Sequence, residues 1–123
     1  MHVVYKASSQ NISDAQVLSQ IQVLNNDFRK QNTDISSVPP AFTGVADDTE
    51  IEFCLAVRDP NNNITTGITR TQTSVSSFST NDDMKHSSTG GRDAWDTDKY
   101  LNIWVCNLGN SILGYAQLKS IIG

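Results

Sequence analysis

The sequence predicts an α+β domain with α/β-like character, in which one long amphipathic helix packs on a single twisted, mixed sheet of about four to five strands. Between residues 17 and 28, apolar side chains recur at intervals of four, three and four positions, which is the spacing of a helix stripe. Residues 51–57 and 100–106 instead alternate in the period of a strand. The length of 123 residues fits one domain over residues 1–123.

The first strand and the helix are predicted from local signals. Residues 2–6 form a short β-branched and aromatic run, which favours a strand. Ser13 is a good N-cap, and Gln16 stands three positions later, so the two predict a capping box. The helix is predicted from Asp14 to about Gln31.

The middle of the chain alternates between loops and predicted strands. Residues 32–43 have no periodicity and contain consecutive prolines, which predicts a loop. Residues 51–57 are predicted as a strand, 59–63 as a turn and 64–73 as a second strand, so we expect a hairpin. Residues 74–91 are polar and rich in serine and threonine, and predict a long surface connection.

The last third of the chain is predicted to carry the central strand of the sheet. In residues 100–106 both alternating faces are largely apolar, which predicts a strand that is buried on both sides. A short turn and a second extended segment, ending near Gln117, are expected to follow.

Composition argues against two classes of partner. Nine basic and thirteen acidic residues give a net charge of −4, and no lysine or arginine cluster occurs, so no nucleic-acid partner is predicted. No apolar run approaches the roughly 20 residues that cross a bilayer, so no membrane partner is predicted either.

Metal ligands are sparse in this sequence. His2 and His86 are far apart and lack partners at helical spacing, so we predict two surface histidines rather than a zinc site. Asp93, Asp96 and Asp98 supply three carboxylates for a hard cation such as calcium. A turn or helix N-cap at Asp96 and Asp98 is the alternative that we favour.

Several sequence blocks, in this order, resemble one protein family. They are Ile51-Glu-Phe-Cys-Leu-Ala56, Gly67-Ile-Thr-Arg-Thr71, Gly90-Gly-Arg-Asp-Ala-Trp95 and Tyr100-Leu-Asn-Ile-Trp-Val-Cys106. Together with His2-Val-Val-Tyr5 they resemble the N-terminal half of a pappalysin-type (cytophagalysin) zinc metalloprotease, a branch of the metzincins. The resemblance extends from His2 to Ala116 and implies a metzincin N-terminal subdomain.

Two features of the family pattern are missing from the sequence. The zinc helix with its His-Glu-x-x-His motif does not occur, and the tail at residues 117–123 does not match the family's Pro-Gly-rich continuation. We therefore expect a truncated or degenerate metalloendopeptidase domain that is inactive alone. Zinc is expected only in a full-length relative, and no cofactor is predicted on this chain.

The resemblance also implies a site, a partner and a location. Residues Leu113, Gly114, Tyr115 and Ala116 match the metzincin edge strand that aligns a peptide or protein substrate by adding a strand, and an ordinary edge strand or hairpin arm is the alternative. A secreted, extracellular protein is implied. A secreted protein also favours a Cys54–Cys106 disulfide, whereas two buried free thiols are the equally weighted alternative.

Two alternatives to an enzyme fragment remain open from the sequence. One is a non-catalytic module that binds a peptide or protein through the open edge strand. The other is a homodimer formed through an exposed sheet edge.

Overall fold

The computed structural model describes residues 1–117, which form two compact units. The first unit contains residues 1–11 and the described residues from Ile68 onward, and the second contains residues 12–67. Because each unit is compact in its own right, a single domain over 1–123 stays a prediction. The predicted non-matching tail, 117–123, lies outside the described residues except for Gln117.

The sheet of the first unit has three parallel strands among the described residues. They are β1 (His2–Tyr5), β2 (Thr69–Gln72) and β3 (Trp104–Val105), in the order β2-β1-β3. His2 of β1 is in register with Thr69 of β2 and with Trp104 of β3. The α+β class is confirmed, while the predicted mixed sheet of four to five strands is wrong for this part of the chain.

The prediction of the central strand is also wrong. β1 lies in the centre of the observed strand order, and its valines, Val3 and Val4, are both fully buried. The predicted strand 100–106 contributes only the two residues of β3, at an edge, and its Leu101 is 68% exposed. The Ile103 carbonyl still accepts the His2 N–H at 2.8 Å, and ahead of it the Asn102 side chain bonds to the backbone of Trp95 rather than to a strand.

The apolar core of the first unit draws on a stretch that was predicted to be a surface connection. Val4, Phe78 and Met84 are buried together. The partly buried side chains packed against them are Val75, Trp104, Cys106 and Leu108. Residues 74–91 therefore supply core side chains, which polar composition alone conceals because each apolar residue stands singly among polar or charged residues.

The second unit contains the predicted helix, α1 (Asp14–Phe28). The capping box is confirmed: the Gln16 N–H donates to Ser13 Oγ at 3.2 Å, and the Ser13 N–H donates to Gln16 Oε1 at 3.0 Å. The helix ends before the predicted Gln31, because Lys30 adopts a positive φ of 55°.

Residues 51–57 are not a strand, which corrects the sequence prediction. The backbone N–H of Phe53 donates to Asn25 Oδ1 at 2.6 Å, and Asn25 Nδ2 donates to the Phe53 carbonyl at 3.0 Å. The Asn25 side chain thus occupies the backbone N–H and carbonyl of Phe53, to which a neighbouring strand would otherwise bond. The predicted hairpin is reduced to one antiparallel bridge between Arg58 and Ile64.

Candidate functional site

The segment predicted to receive a substrate, residues 113–116, follows a fixed anchor and a tight turn. Leu108 forms a parallel bridge with Phe78, and the Gly109 N–H donates to the Phe78 carbonyl at 2.8 Å. Asn110 and Ser111 then both adopt positive φ values, 58° and 59°. The turn therefore fixes the point at which the chain leaves the core and enters this segment.

The segment itself runs along the surface from Ile112 to Gln117 and belongs to no helix, strand, turn or bend, so the edge strand that the resemblance implies is not formed within the described residues. Leu113 is 103% exposed, and a Cβ placed on Gly114 would meet no atom within 4 Å. No backbone hydrogen bond joins residues 113–117 to another residue in the described part of the chain. The backbone groups of this segment are thus available to a second extended chain.

Tyr115 is the residue of the segment whose side chain contacts the rest of the first unit. Its hydroxyl donates to Asp82 Oδ1 at 3.0 Å and lies 3.0 Å from Met84 Sδ. Burial, together with the nearby Asp82 carboxylate, raises the pKa of Tyr115 to about 12, so the phenol keeps its proton at neutral pH. The hydrogen bonds from Lys85 and Tyr115 hold the pKa of Asp82 below its usual range, so the carboxylate stays an acceptor.

A cavity that the sequence did not predict opens beside the turn. It has a volume of about 310 Å³. Its lining comes from separate parts of the first unit: residues 75 and 77–79, residues 83 and 89, and residues 109–110. No sequence signal announces such a cavity, because its walls are brought together by the fold rather than by spacing along the chain.

Comparison with known proteins places this geometry in context. No family model matches the sequence, and a search of the curated proteins finds no match. Solved structures do match. Mirolysin in complex with compound 9 is 61% identical with a TM-score of 0.88, over 94% of this chain and 43% of the mirolysin chain.

Two further solved structures of mirolysin are similar to the chain. Mature mirolysin from Tannerella forsythia, in complex with a cleaved peptide, is 61% identical with a TM-score of 0.89 over 94% of this chain and 43% of that chain. A promirolysin mutant from the same organism is 61% identical with a TM-score of 0.89, over 94% of this chain and 38% of that chain. Mirolysin is a metalloprotease of the pappalysin type.

The chain is similar to an N-terminal part of mirolysin, a pappalysin-type (cytophagalysin) metalloprotease. The resemblance inferred from the sequence blocks is thus confirmed. The chain spans less than half the length of these mirolysin chains, so its relation to the activity of a whole pappalysin-type enzyme is a matter for proposal. The structure also contains no helix, among the residues it describes, that is long and apolar enough to cross a membrane.

The residues present do not fit the zinc site of a pappalysin-type metalloprotease. Within residues 1–117, no three side chains of the histidine, cysteine, aspartate or glutamate type converge as metal ligands would. Asp93 accepts hydrogen bonds from the backbone and hydroxyl of Ser87, while Asp96 accepts from the Asp98 N–H. No zinc-dependent step is assigned to residues 1–117, and calcium binding stays an untested alternative to the favoured turn at Asp96 and Asp98.

His2 is not a surface histidine, which corrects the sequence prediction. It is 2% exposed, with its ring 5.2 Å from that of Trp104 and 5.8 Å from that of Trp95. His2 lies in the central strand, and its ring contacts two indole rings that come from residues distant in sequence, which no local signal indicates. His86 is exposed, as predicted.

Both ring nitrogens of His2 have partners in the fold. Asn102 Nδ2 donates to the carbonyls of Trp95 and Tyr100, so Asn102 Oδ1 must accept, and it receives His2 Nε2–H at 2.9 Å. His2 Nδ1 then accepts from Thr69 Oγ1 at 2.7 Å. Burial favours the uncharged ring, and the Nε2–H tautomer fits these partners, so neither nitrogen is available to a metal.

Stability should depend on pH through His2. Burial lowers the pKa of His2, an effect that Asn102 partly offsets and that the positive charge of Arg92 reinforces. Because the folded pKa is below the unfolded value, the stabilisation is present above about pH 6.5 and is lost as the pH falls through that value. The midpoint of urea unfolding should decrease between about pH 7.5 and pH 5.5.

The control for this pH dependence is the second histidine. His2→Gln should remove most of the decrease, whereas His86→Gln should keep it. Equal pH dependence in the two variants would show that other groups carry the effect.

The two cysteines are free thiols in the structure. Cys54 is exposed in the second unit, and Cys106 is half-buried against the core of the first unit. Burial raises the pKa of the Cys106 thiol, which makes it a poor nucleophile at neutral pH. The alternative of two buried thiols is wrong for Cys54, and the pairing of Cys54 with Cys106 stays a prediction.

Proposed function

We propose that this chain forms the peptide-aligning wall of a zinc metalloendopeptidase of the pappalysin type, and that residues 113–116 receive the substrate backbone. The observation that carries the proposal is the state of this segment. It has an exposed leucine, an unobstructed glycine and backbone groups with no hydrogen-bonded partner in the described part of the chain.

The physical chemistry of strand addition fits such a segment. An extended peptide gains affinity from main-chain hydrogen bonds and specificity from alternate side chains. Gly114 permits the close approach of a second backbone, since nothing stands within 4 Å of the position of its Cβ. The similarity to mirolysin, which has been solved in complex with a cleaved peptide, supports a peptide as the ligand.

The proposal assigns no bond-breaking step to residues 1–117. In a zinc peptidase the metal polarises a water molecule that attacks the peptide carbonyl. Because residues 1–117 do not fit the ligand set, the contribution of this chain is to bind and orient the peptide, and we propose that the chain alone is inactive. Zinc-chelator-sensitive hydrolysis of casein by the purified chain would overturn that part.

The binding part is tested with short fluorescein-labelled casein peptides, measured by fluorescence anisotropy. We expect saturable binding that weakens about tenfold or more in Gly114→Pro, because proline removes a backbone donor and restricts φ. Leu113→Ala should weaken binding severalfold through lost apolar contact.

The matched control is Leu18→Ala, since Leu18 is another exposed leucine, 55% exposed on α1. This variant should bind like the unmodified chain. Saturable binding that none of the three substitutions alters would place the peptide elsewhere on the molecule.

The second candidate function is a non-catalytic peptide-binding module. It is favoured by the same open segment together with the lack of fit to a zinc site in residues 1–117. The two candidates share the binding result and differ in what surrounds the chain. Restored zinc-dependent hydrolysis on adding the remaining part of a pappalysin-type enzyme favours the peptidase wall, and its absence favours the module.

Location and self-association complete the proposal. We place the protein outside the cell because the family that it resembles is secreted. Homodimer formation through an open sheet edge stays a prediction from the sequence.

A further inference from the structure

A compact charged cluster lies directly behind the segment that we propose to bind peptide. We call it the Asp82 clamp, and it consists of Asp82, Lys85 and Tyr115. Lys85 Nζ lies 2.7 Å from Asp82 Oδ1, and the same carboxylate oxygen accepts the Tyr115 hydroxyl at 3.0 Å. One carboxylate thus links the segment to the 3₁₀ turn at Asp83–Lys85.

Lys85 contacts the segment at further points. Its Nζ donates to Gln117 Oε1 at 2.5 Å and lies 5.4 Å from the centre of the Tyr115 ring and 5.9 Å from that of Trp104. An ammonium group between two aromatic faces and a carboxylate is attracted to all three. The clamp therefore holds Tyr115 and Gln117 and leaves Leu113 and Gly114 outward.

The 3₁₀ turn next to Asp82 is joined to the core of the first unit. The Met84 carbonyl accepts the Arg92 N–H at 3.0 Å, and the Met84 side chain is buried. Trp104 Nε1 of β3 donates to the Arg92 carbonyl at 2.8 Å. The strand, the 3₁₀ turn and the clamp thus form one connected support for a segment that has no ladder hydrogen bonds of its own within the described residues.

We propose that the Asp82 clamp is a positioning device, which holds residues 113–117 in the conformation that presents Leu113 and Gly114 to a peptide backbone. The inference rests on the proposed function, because it names what positions that same site. Its physical role is preorganisation. A segment that is already ordered loses less conformational entropy when a peptide binds, so the bound state is favoured.

The test uses the full chain and two readouts. Tyr115→Phe keeps the ring and its contact with Lys85 but removes the hydroxyl that donates a hydrogen bond to Asp82. The backbone NMR order parameters of residues 114–117 should drop from rigid values near ~0.85 to below ~0.6. Affinity for the fluorescein-labelled casein peptides should fall about tenfold, as expected for a lost hydrogen bond to a charged group.

Two variants separate positioning from general damage. Tyr5→Phe in β1 is the matched control and should change neither readout. Asp82→Asn keeps an acceptor for the Tyr115 hydroxyl and should retain part of the order that Asp82→Ala loses.

The outcomes distinguish the positioning role of the Asp82 clamp from the proposed binding of a peptide. Unchanged order parameters in both Tyr115→Phe and Asp82→Ala would overturn the clamp, whatever the peptide affinity. Loss of order together with weakened peptide binding supports it. If the unmodified chain binds no peptide, the proposed function fails and the positioning role fails with it, while a loss of order in Tyr115→Phe would still establish the anchor as structural.

Discussion

Replacing Gly91 with alanine is expected to lower the free energy of unfolding by about 3 kcal/mol. A Cβ at this position would overlap the carbonyl group of Met84 and stand 2.6 Å from the carbonyl oxygen of Asp83. Both neighbours are backbone atoms of a 3₁₀ turn that is tied to the core, so they cannot move aside as a flexible side chain would. Urea unfolding measures the effect.

Gly44→Ala is the control for this substitution. A Cβ on Gly44 would meet no atom within 4 Å, so the change in the free energy of unfolding should stay within about 0.5 kcal/mol. A similar loss in both variants would mean that alanine acts through the unfolded chain rather than through the predicted overlap.

Asn102→Ala is expected to cost about 3 kcal/mol of stability, the second large effect. The Asn102 amide accepts from His2 Nε2 and from the Trp95 N–H, and it donates to the carbonyls of Trp95 and Tyr100. Removing it leaves half-buried donors and acceptors unsatisfied at several points at once. Loss of the His2 partner should also shift the pH dependence of unfolding.

The control for this asparagine is Asn107→Ala. Asn107 is exposed, and its amide donates to the Ser76 carbonyl at 2.7 Å. Its removal should cost about 1 kcal/mol or less, measured by the same urea unfolding. If the two asparagine variants lose equal stability, the network around His2 contributes less than its geometry indicates.

Local signals predicted the helical part of the fold. α1 begins where Ser13 and Gln16 place a capping box, because both partners of that motif lie within one helical turn. The first strand was predicted from the run at 2–6, and β1 occupies His2–Tyr5. These elements depend on residues that are neighbours in sequence.

The remaining parts of the fold depend on contacts between distant residues. The alternating pattern at 51–57 does not form a ladder, because Asn25 takes the backbone groups of Phe53 from 28 positions away. The pattern at 100–106 yields only a short edge strand. Period alone cannot reveal which strand is central, since burial on both faces depends on what the fold lays against it.

The candidate site likewise has one part that the sequence indicates and another that depends on contacts between distant residues. Residues 113–116 were found through family resemblance, and the exposure of Leu113 and Gly114 agrees with an open segment. The Asp82 clamp was not predicted, because Asp82 and Tyr115 are 33 positions apart and neither belongs to a recognisable motif. The burial of His2 was likewise missed.

The measurement that tests the central claim most directly is hydrogen exchange at the backbone amides of residues 113–117, with and without saturating casein peptide. The free segment should exchange rapidly, because no backbone hydrogen bond joins it to another residue in the described part of the chain. Addition of the peptide should protect alternate amides of this segment, as strand addition requires. Unchanged exchange at 113–117 under saturating peptide would contradict the account.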